Sequence, residues 1–122
     1  MSGSKFLADT NALIYLLGGN SCMKPYASLK MGYSVISEME ILSFSKLSDE
    51  EEQITRRFLH SFERILLEEP VIDRTIQLRK HYRIKLPDAM IAATAIERDI
   101  PLLTADLAFS KIAELQVELI TP

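Results

Sequence analysis

Short apolar runs alternate with longer amphipathic stretches along the chain. Residues 5–8 form a brief apolar run closed by Asp9, and residues 11–17 supply two helical turns before Gly18-Gly19-Asn20 stops them, which predicts strand, tight turn and helix. A second β-branched run covers 33–36, and Ser37 with Glu40 three residues on has the form of a helix-opening capping box for a helix through Phe44. Ser48 with Glu51 repeats that signature. The helix that follows spaces Ile54, Phe58 and Phe62 four apart with Leu59 beside them, and leaves Glu50, Glu51, Arg56 and Arg57 to water. A third strand is expected over 65–67. Pro70 opens a helix with Val71, Thr75, Leu78 and Tyr82 along one face, and Pro87 stands where another begins. That next helix, 88–98, is apolar nearly all round and must be covered on several sides. Strands over 102–104 and 117–120 flank a short helix near 109–112.

Strands that alternate with helices, and that read as short solid runs, predict an α/β fold: one domain over 1–122, with a mostly parallel central sheet of four to five strands and helices on both faces. Sites in such sheets form outside the carboxyl ends of the strands. At 122 residues, 48% hydrophobic and 25% charged, the composition is that of an ordinary single-core domain. Cys22 is the only cysteine, which excludes an intramolecular disulfide and a paired-thiol zinc site and fits a reducing, cytoplasmic location. No apolar run reaches the roughly 18 residues that span a bilayer, and no signal-peptide pattern precedes Asp9, so no membrane partner is expected.

Four acids stand out. Asp9 follows the first strand, Asp106 the fourth, Glu40 lies one turn into the helix after the second, and Asp88 lies in the first turn of the apolar helix. A parallel sheet brings strand ends and helix starts to one edge, where clustered carboxylates stay ionised only beside a cation. Oxygen ligands of this kind suit Mg²⁺ or Mn²⁺. Each acid singly has a simpler reading, as a helix cap or as a partner of a helix dipole. Against four coincidences stands the apolar setting of Asp9, between Phe6-Leu7-Ala8 and Leu13-Ile14, and of Asp88, between Leu86-Pro87 and Ala89-Met90-Ile91. The net charge of −3 does not by itself suggest a nucleic-acid partner, although two divalent ions would reverse its sign.

Asp9-Thr10-Asn11-Ala12-Leu13-Ile14-Tyr15-Leu16-Leu17, Ile36-Ser37-Glu38-Met39-Glu40-Ile41-Leu42, Leu86-Pro87-Asp88-Ala89-Met90-Ile91-Ala92-Ala93-Thr94-Ala95 and Leu103-Thr104-Ala105-Asp106-Leu107-Ala108-Phe109 resemble the four ordered motifs of PIN-domain ribonucleases, above all VapC-type toxins. The third segment is the most specific. The resemblance implies that Asp9, Glu40, Asp88 and Asp106 are the catalytic, metal-holding cluster, with Asn11 and Thr104 as supporting polar groups. It implies an Mg²⁺- or Mn²⁺-dependent endoribonuclease, a homodimer, and a small antitoxin that blocks the site. Many relatives carry a further acid where this chain has Ala108, which puts a second metal in doubt. Glu38 competes with Glu40, but two residues away on a helix it points elsewhere.

No side chain in the cluster is a plausible covalent nucleophile, so the expected chemistry is attack of water on a phosphodiester. Arg79, Lys80, Arg83 and Lys85 lie near Asp88 in sequence; they are candidate contacts to an RNA backbone, of which Arg79, Arg83 and Lys85 are retained, or a solvated helix face. His60 and His81 have no ligand partners at metal-site spacing. Walker, dinucleotide and nucleophile-elbow motifs are missing from the sequence. Two other readings remain: an aspartyl-nucleophile phosphohydrolase built on Asp9, disfavoured by Asn11 where a second acid is wanted, and a catalytically silent module that dimerises and binds a protein or DNA. Tyr15, Ile54 and Phe58 are interface candidates or core.

Overall fold

The computed structural model describes residues 3–122. Five strands, β1 (Phe6–Ala8), β2 (Met31–Ser34), β3 (Glu63–Ile65), β4 (Leu102–Thr104) and β5 (Val117–Leu119), form one sheet in the order β3-β2-β1-β4-β5, every pair parallel. The helices are α1 (Thr10–Leu17), α2 (Val35–Leu42), α3 (Asp49–Leu59), α4 (Glu69–His81) and α5 (Leu86–Arg98), with 3-10 turns over Ser21–Tyr26 and Leu107–Lys111. The alternation read from the sequence therefore builds the expected α/β domain with five strands.

Period-two alternation in the strands divides the core in two. Leu7 and Leu102 pack with Val71 and Leu78 of α4 and with Ile91 and Ala95 of α5. Their neighbours Ala8 and Leu103 pack with Leu13 of α1, Leu59 of α3 and Met23 of the first 3-10 turn. Helices thus cover both faces. The α5 run Ala89, Ile91, Ala92, Ala93, Thr94 and Ala95 is buried throughout, as its all-round apolar sequence requires.

Several boundaries differ from the sequence expectation. The second strand occupies Met31–Ser34, so Val35 and Ile36 already belong to α2; their β-branched cost in a helix is only a few tenths of a kcal/mol, and pairing and capping outweigh it. Ser34, with Oγ accepting from the Ile36 N–H at 3.1 Å, is the cap, and the capping box expected of Ser37 and Glu40 does not form. The third strand sits at Glu63–Ile65, two residues early, because Gly32↔Glu63 and Ser34↔Ile65 set its register, leaving Leu66 outside and 55% exposed. The box at Ser48 and Glu51 does form, with bonds of 2.9 and 3.1 Å. Ile54, read as part of the buried face of α3, is 48% exposed; Thr55 and Leu59 take the buried positions.

Candidate active site at the carboxyl edge

The chain runs outward from β1 to β2 and β3, then returns to place β4 on the other side of β1. Reversals of this kind open a crevice beyond the carboxyl ends of the two strands involved, here β1 and β4. Asp9 ends β1 and caps α1: its Oδ1 accepts the Ala12 N–H at 2.8 Å, while its own N–H donates to the Leu103 carbonyl of β4 at 3.1 Å. The same carboxylate turns Oδ2 toward the fully buried Thr104, whose hydroxyl donates to it at 2.5 Å. Thr104 Oγ1 in turn accepts the Asp106 N–H at 2.9 Å, and Asp106 Oδ1 caps the following 3-10 turn through the Ala108 N–H. One hydroxyl therefore fixes two of the four acids.

The cap readings of Asp9 and Asp106 are thus true of this chain, but they do not account for the cluster. Burial pushes the Asp9 carboxyl above the ordinary carboxylate range against the pull of Thr104 and Ala12, and the charges of Asp106 and Asp88 push it further. Asp88, in the first turn of α5, is likewise raised, by burial first and then by Asp106 and Glu40, with Lys85 opposing. Repulsion thus links all four acids. None of the ion pairs among the described residues, Arg56–Glu52, Arg64–Glu38, Arg74–Glu97 and Arg98–Glu63, involves any of them. A patch of converging carboxylates without a paired base fits a hard divalent cation in the chemistry of its donors.

Glu40 is exposed, yet it is anchored. Thr10 Oγ1 donates to its Oε1 at 2.5 Å and lies 2.9 Å from the Oγ of fully buried Ser37. Because Ser34 caps α2, Ser37 and Glu40 are free to face α1. Glu38 is elsewhere occupied: Arg64 grips its carboxylate at 2.9 and 3.3 Å and holds it below the usual carboxylate range. Glu38 is thus held by a cation, whereas Glu40 joins no ion pair among the described residues. Among the described residues, no three Asp, Glu, His or Cys side chains close up enough to enclose an ion unaided. Mg²⁺ tolerates such a site, since it commonly keeps several waters and takes one or two carboxylates.

Arg83 and Lys85 share a cleft of about 260 Å³ with Asp88 and Asp106. Arg79, the other cation singled out from sequence, is exposed in the last turn of α4 and does not line it. Asn11 is exposed on the first turn of α1. Thr10 and Lys111 escaped the sequence reading, and Ser37, read there as a helix cap, instead meets Thr10. Thr10 stands inside a quoted motif between Asp9 and Asn11, two polar residues that masked it, and nothing in the sequence marked Lys111.

A family model of the PIN domain matches residues 6–115. Among solved structures, a toxin–antitoxin complex from Klebsiella pneumoniae contains a chain 34% identical in sequence, matched over 89% of this chain and 93% of that one with a TM-score of 0.77. DNA-bound VapBC from Salmonella typhimurium matches at 24% identity over 95% and 98% of the two chains with a TM-score of 0.82. VapBC-1 from nontypeable Haemophilus influenzae matches at 22% identity over 93% and 96% with a TM-score of 0.75. At those two identities the likeness is one of fold. No curated protein gives a significant sequence match.

Proposed function

The chain belongs to the PIN-domain family, and from that premise we propose that it is a metal-dependent endoribonuclease and the toxin of a type II toxin–antitoxin pair. The observation that carries the reading is that Asp9, Asp88 and Asp106 gather beyond the carboxyl ends of β1 and β4 and repel one another, with Glu40 repelling Asp88 and no ion pair among the described residues neutralising any of the four. A bound Mg²⁺ or Mn²⁺ would supply Lewis-acid catalysis, making water a better nucleophile and offsetting charge on the phosphoryl oxygens. Asp9, Asp88 and Asp106 would hold that ion directly or through water. Thr104 and the Ala12 N–H fix both oxygens of Asp9, so its carboxylate is oriented before substrate arrives. Thr10 fixes Oε1 of Glu40 and leaves Oε2 to take the proton of the attacking water. As that proton moves, the new oxygen–phosphorus bond forms, the ester bond to the leaving ribose oxygen breaks in line, and that oxygen takes a proton from solvent water.

The substrate, RNA, is part of the proposal and rests on the family resemblance. The antitoxin partner is supported by the Klebsiella pneumoniae relative, which is part of a toxin–antitoxin complex. A homodimer completes the reading. Of the three interface candidates, Tyr15 and Phe58 pack against the core and Ile54 alone is exposed, so Ile54 is the one available to a second copy.

The test is incubation of the purified chain, free of any partner, with labelled RNAs including total tRNA, in Mg²⁺, in Mn²⁺ and in chelator. Cleavage that requires metal and is lost in Asp88→Asn is the expected result. No cleavage with any metal, by protein shown to be folded, would favour the silent binding module.

A further inference from the structure

Beside the acids, the cleft has a basic component that the reaction just described does not use. Three cations, Arg83, Lys85 and Lys111, line it together with Asp88 and Asp106, and Phe109 and Ile112 contribute apolar surface. None of the three joins an ion pair among the described residues. Lys111 is nonetheless held in place. Its Nζ donates to the Arg83 carbonyl at 2.8 Å, tying the 3-10 turn after β4 to the segment between α4 and α5. An ammonium has three donors, so two remain for a ligand after that bond is made. The volume, about 260 Å³, lies just below the usual range of ligand pockets, roughly 300–1,000 Å³, and suits a single nucleotide unit of an extended strand.

We propose that Arg83, Lys85 and Lys111 form a phosphate subsite that grips the phosphodiester adjacent to the one cut, with Lys111 as the residue that sets its register. The inference rests on the nuclease reading for its ligand, an RNA backbone. Placing the cations in the same cleft as Asp88 and Asp106 gives one strand two different attachments: a phosphate at the acid cluster with its ion, and its neighbour at the ammonium and guanidinium groups. Such contacts position a backbone without reading its sequence. A free lysine would contribute charge alone, whereas one latched to the Arg83 carbonyl contributes a fixed donor direction.

The experiment measures binding of a fluorescein-labelled single-stranded RNA to the full chain carrying Asp9→Asn, which lies outside the cleft lining and prevents cleavage, across a salt series. Adding Lys111→Gln is expected to lower the log–log salt slope by about 0.7, as for loss of a single phosphate contact on a single strand, and Lys111→Arg to restore it. Lys30→Gln, at the opposite end of β2, is expected to leave the slope unchanged. In the otherwise native chain, Lys111→Gln raises KM roughly fivefold or more while Mn²⁺ affinity stays the same. An unaltered slope in Lys111→Gln, an equal loss in Lys111→Arg, or tighter binding of an acidic peptide than of RNA would overturn the proposal. RNA binding that depends on Lys111 in a chain whose native form cuts nothing would sink the nuclease reading alone; cleavage indifferent to Lys111 would sink the subsite alone.

Discussion

Replacing Thr104 by valine keeps the shape of a fully buried side chain and removes only its hydroxyl. Two bonds go. The bond to Asp9 Oδ2 is directed at a buried carboxylate and belongs to the class worth about 1.5–3 kcal/mol, while the Asp106 N–H, only part-buried, can turn to water at little cost. The valine methyl returns about 0.8 kcal/mol of apolar burial. The expected loss is therefore about 1.5 kcal/mol at neutral pH, or about 4–9 °C in Tm for a chain of this length. The dependence on pH has a definite sign. Thr104 stabilises the ionised form of Asp9, so its removal raises an already raised carboxyl further. The variant then loses more stability as pH rises from the unfolded carboxylate value of about 3.9 through the folded one, and the gap to the native chain closes in acid. Urea unfolding from pH 4 to pH 8 measures this directly, with Thr104→Ser as the variant that restores the bond. A loss below about 0.5 kcal/mol, or one that does not grow with pH, would refute the assigned role of the hydroxyl.

In metal-free buffer at neutral pH, Asp88→Asn should be more stable than the native chain by roughly 0.5 kcal/mol, the size of a screened like-charge contact, and differential scanning fluorimetry should find the difference gone below about pH 4. Mn²⁺ at a hundredfold excess over its Kd should stabilise the native chain by about 2.7 kcal/mol, and the effect should fall as acid protonates Asp9 and Asp88. Thr10→Val should lower kcat about 10- to 100-fold with little change in Tm, because it frees Glu40 Oε1, and Thr10→Ser should recover most of the rate. Ser48→Ala should cost about 1 kcal/mol by breaking the α3 capping box and leave the specific activity of the folded protein unchanged.

The sequence carried the parallel alternation of elements because the central strands β1 and β4 are short, mostly apolar runs and the intervening helices show apolar stripes or, in α5, an apolar surface nearly all round. It also singled out the candidate acids, since carboxylates within apolar runs, such as Asp9 and Asp88, are conspicuous. What it could not carry was competition between equivalent local signals. Ser34 and Ser37 both have the form of a helix cap, and only the pairing of Ser34 with Ile65 decides between them. Leu66 reads as strand, yet register with β2 leaves it outside. The 3-10 turn Ser21–Tyr26 was hidden because Asn20 reads as the stop of α1; its side chain also opens the next turn by accepting the Cys22 N–H at 2.9 Å. Lys111 lies far from Arg83 in sequence and meets it only once β4 and α5 are in place.

The claim that one acidic cluster both holds the ion and cuts RNA is tested most directly by measuring Mn²⁺ affinity and RNA cleavage on the same preparations of the native chain and of Asp9→Asn, Glu40→Gln, Asp88→Asn and Asp106→Asn. Each variant is expected to lose cleavage, with Mn²⁺ affinity falling in the three Asp variants and cleavage by the native chain abolished by chelator. Cleavage that persists in chelator, or Mn²⁺ binding untouched by all four substitutions, would contradict it.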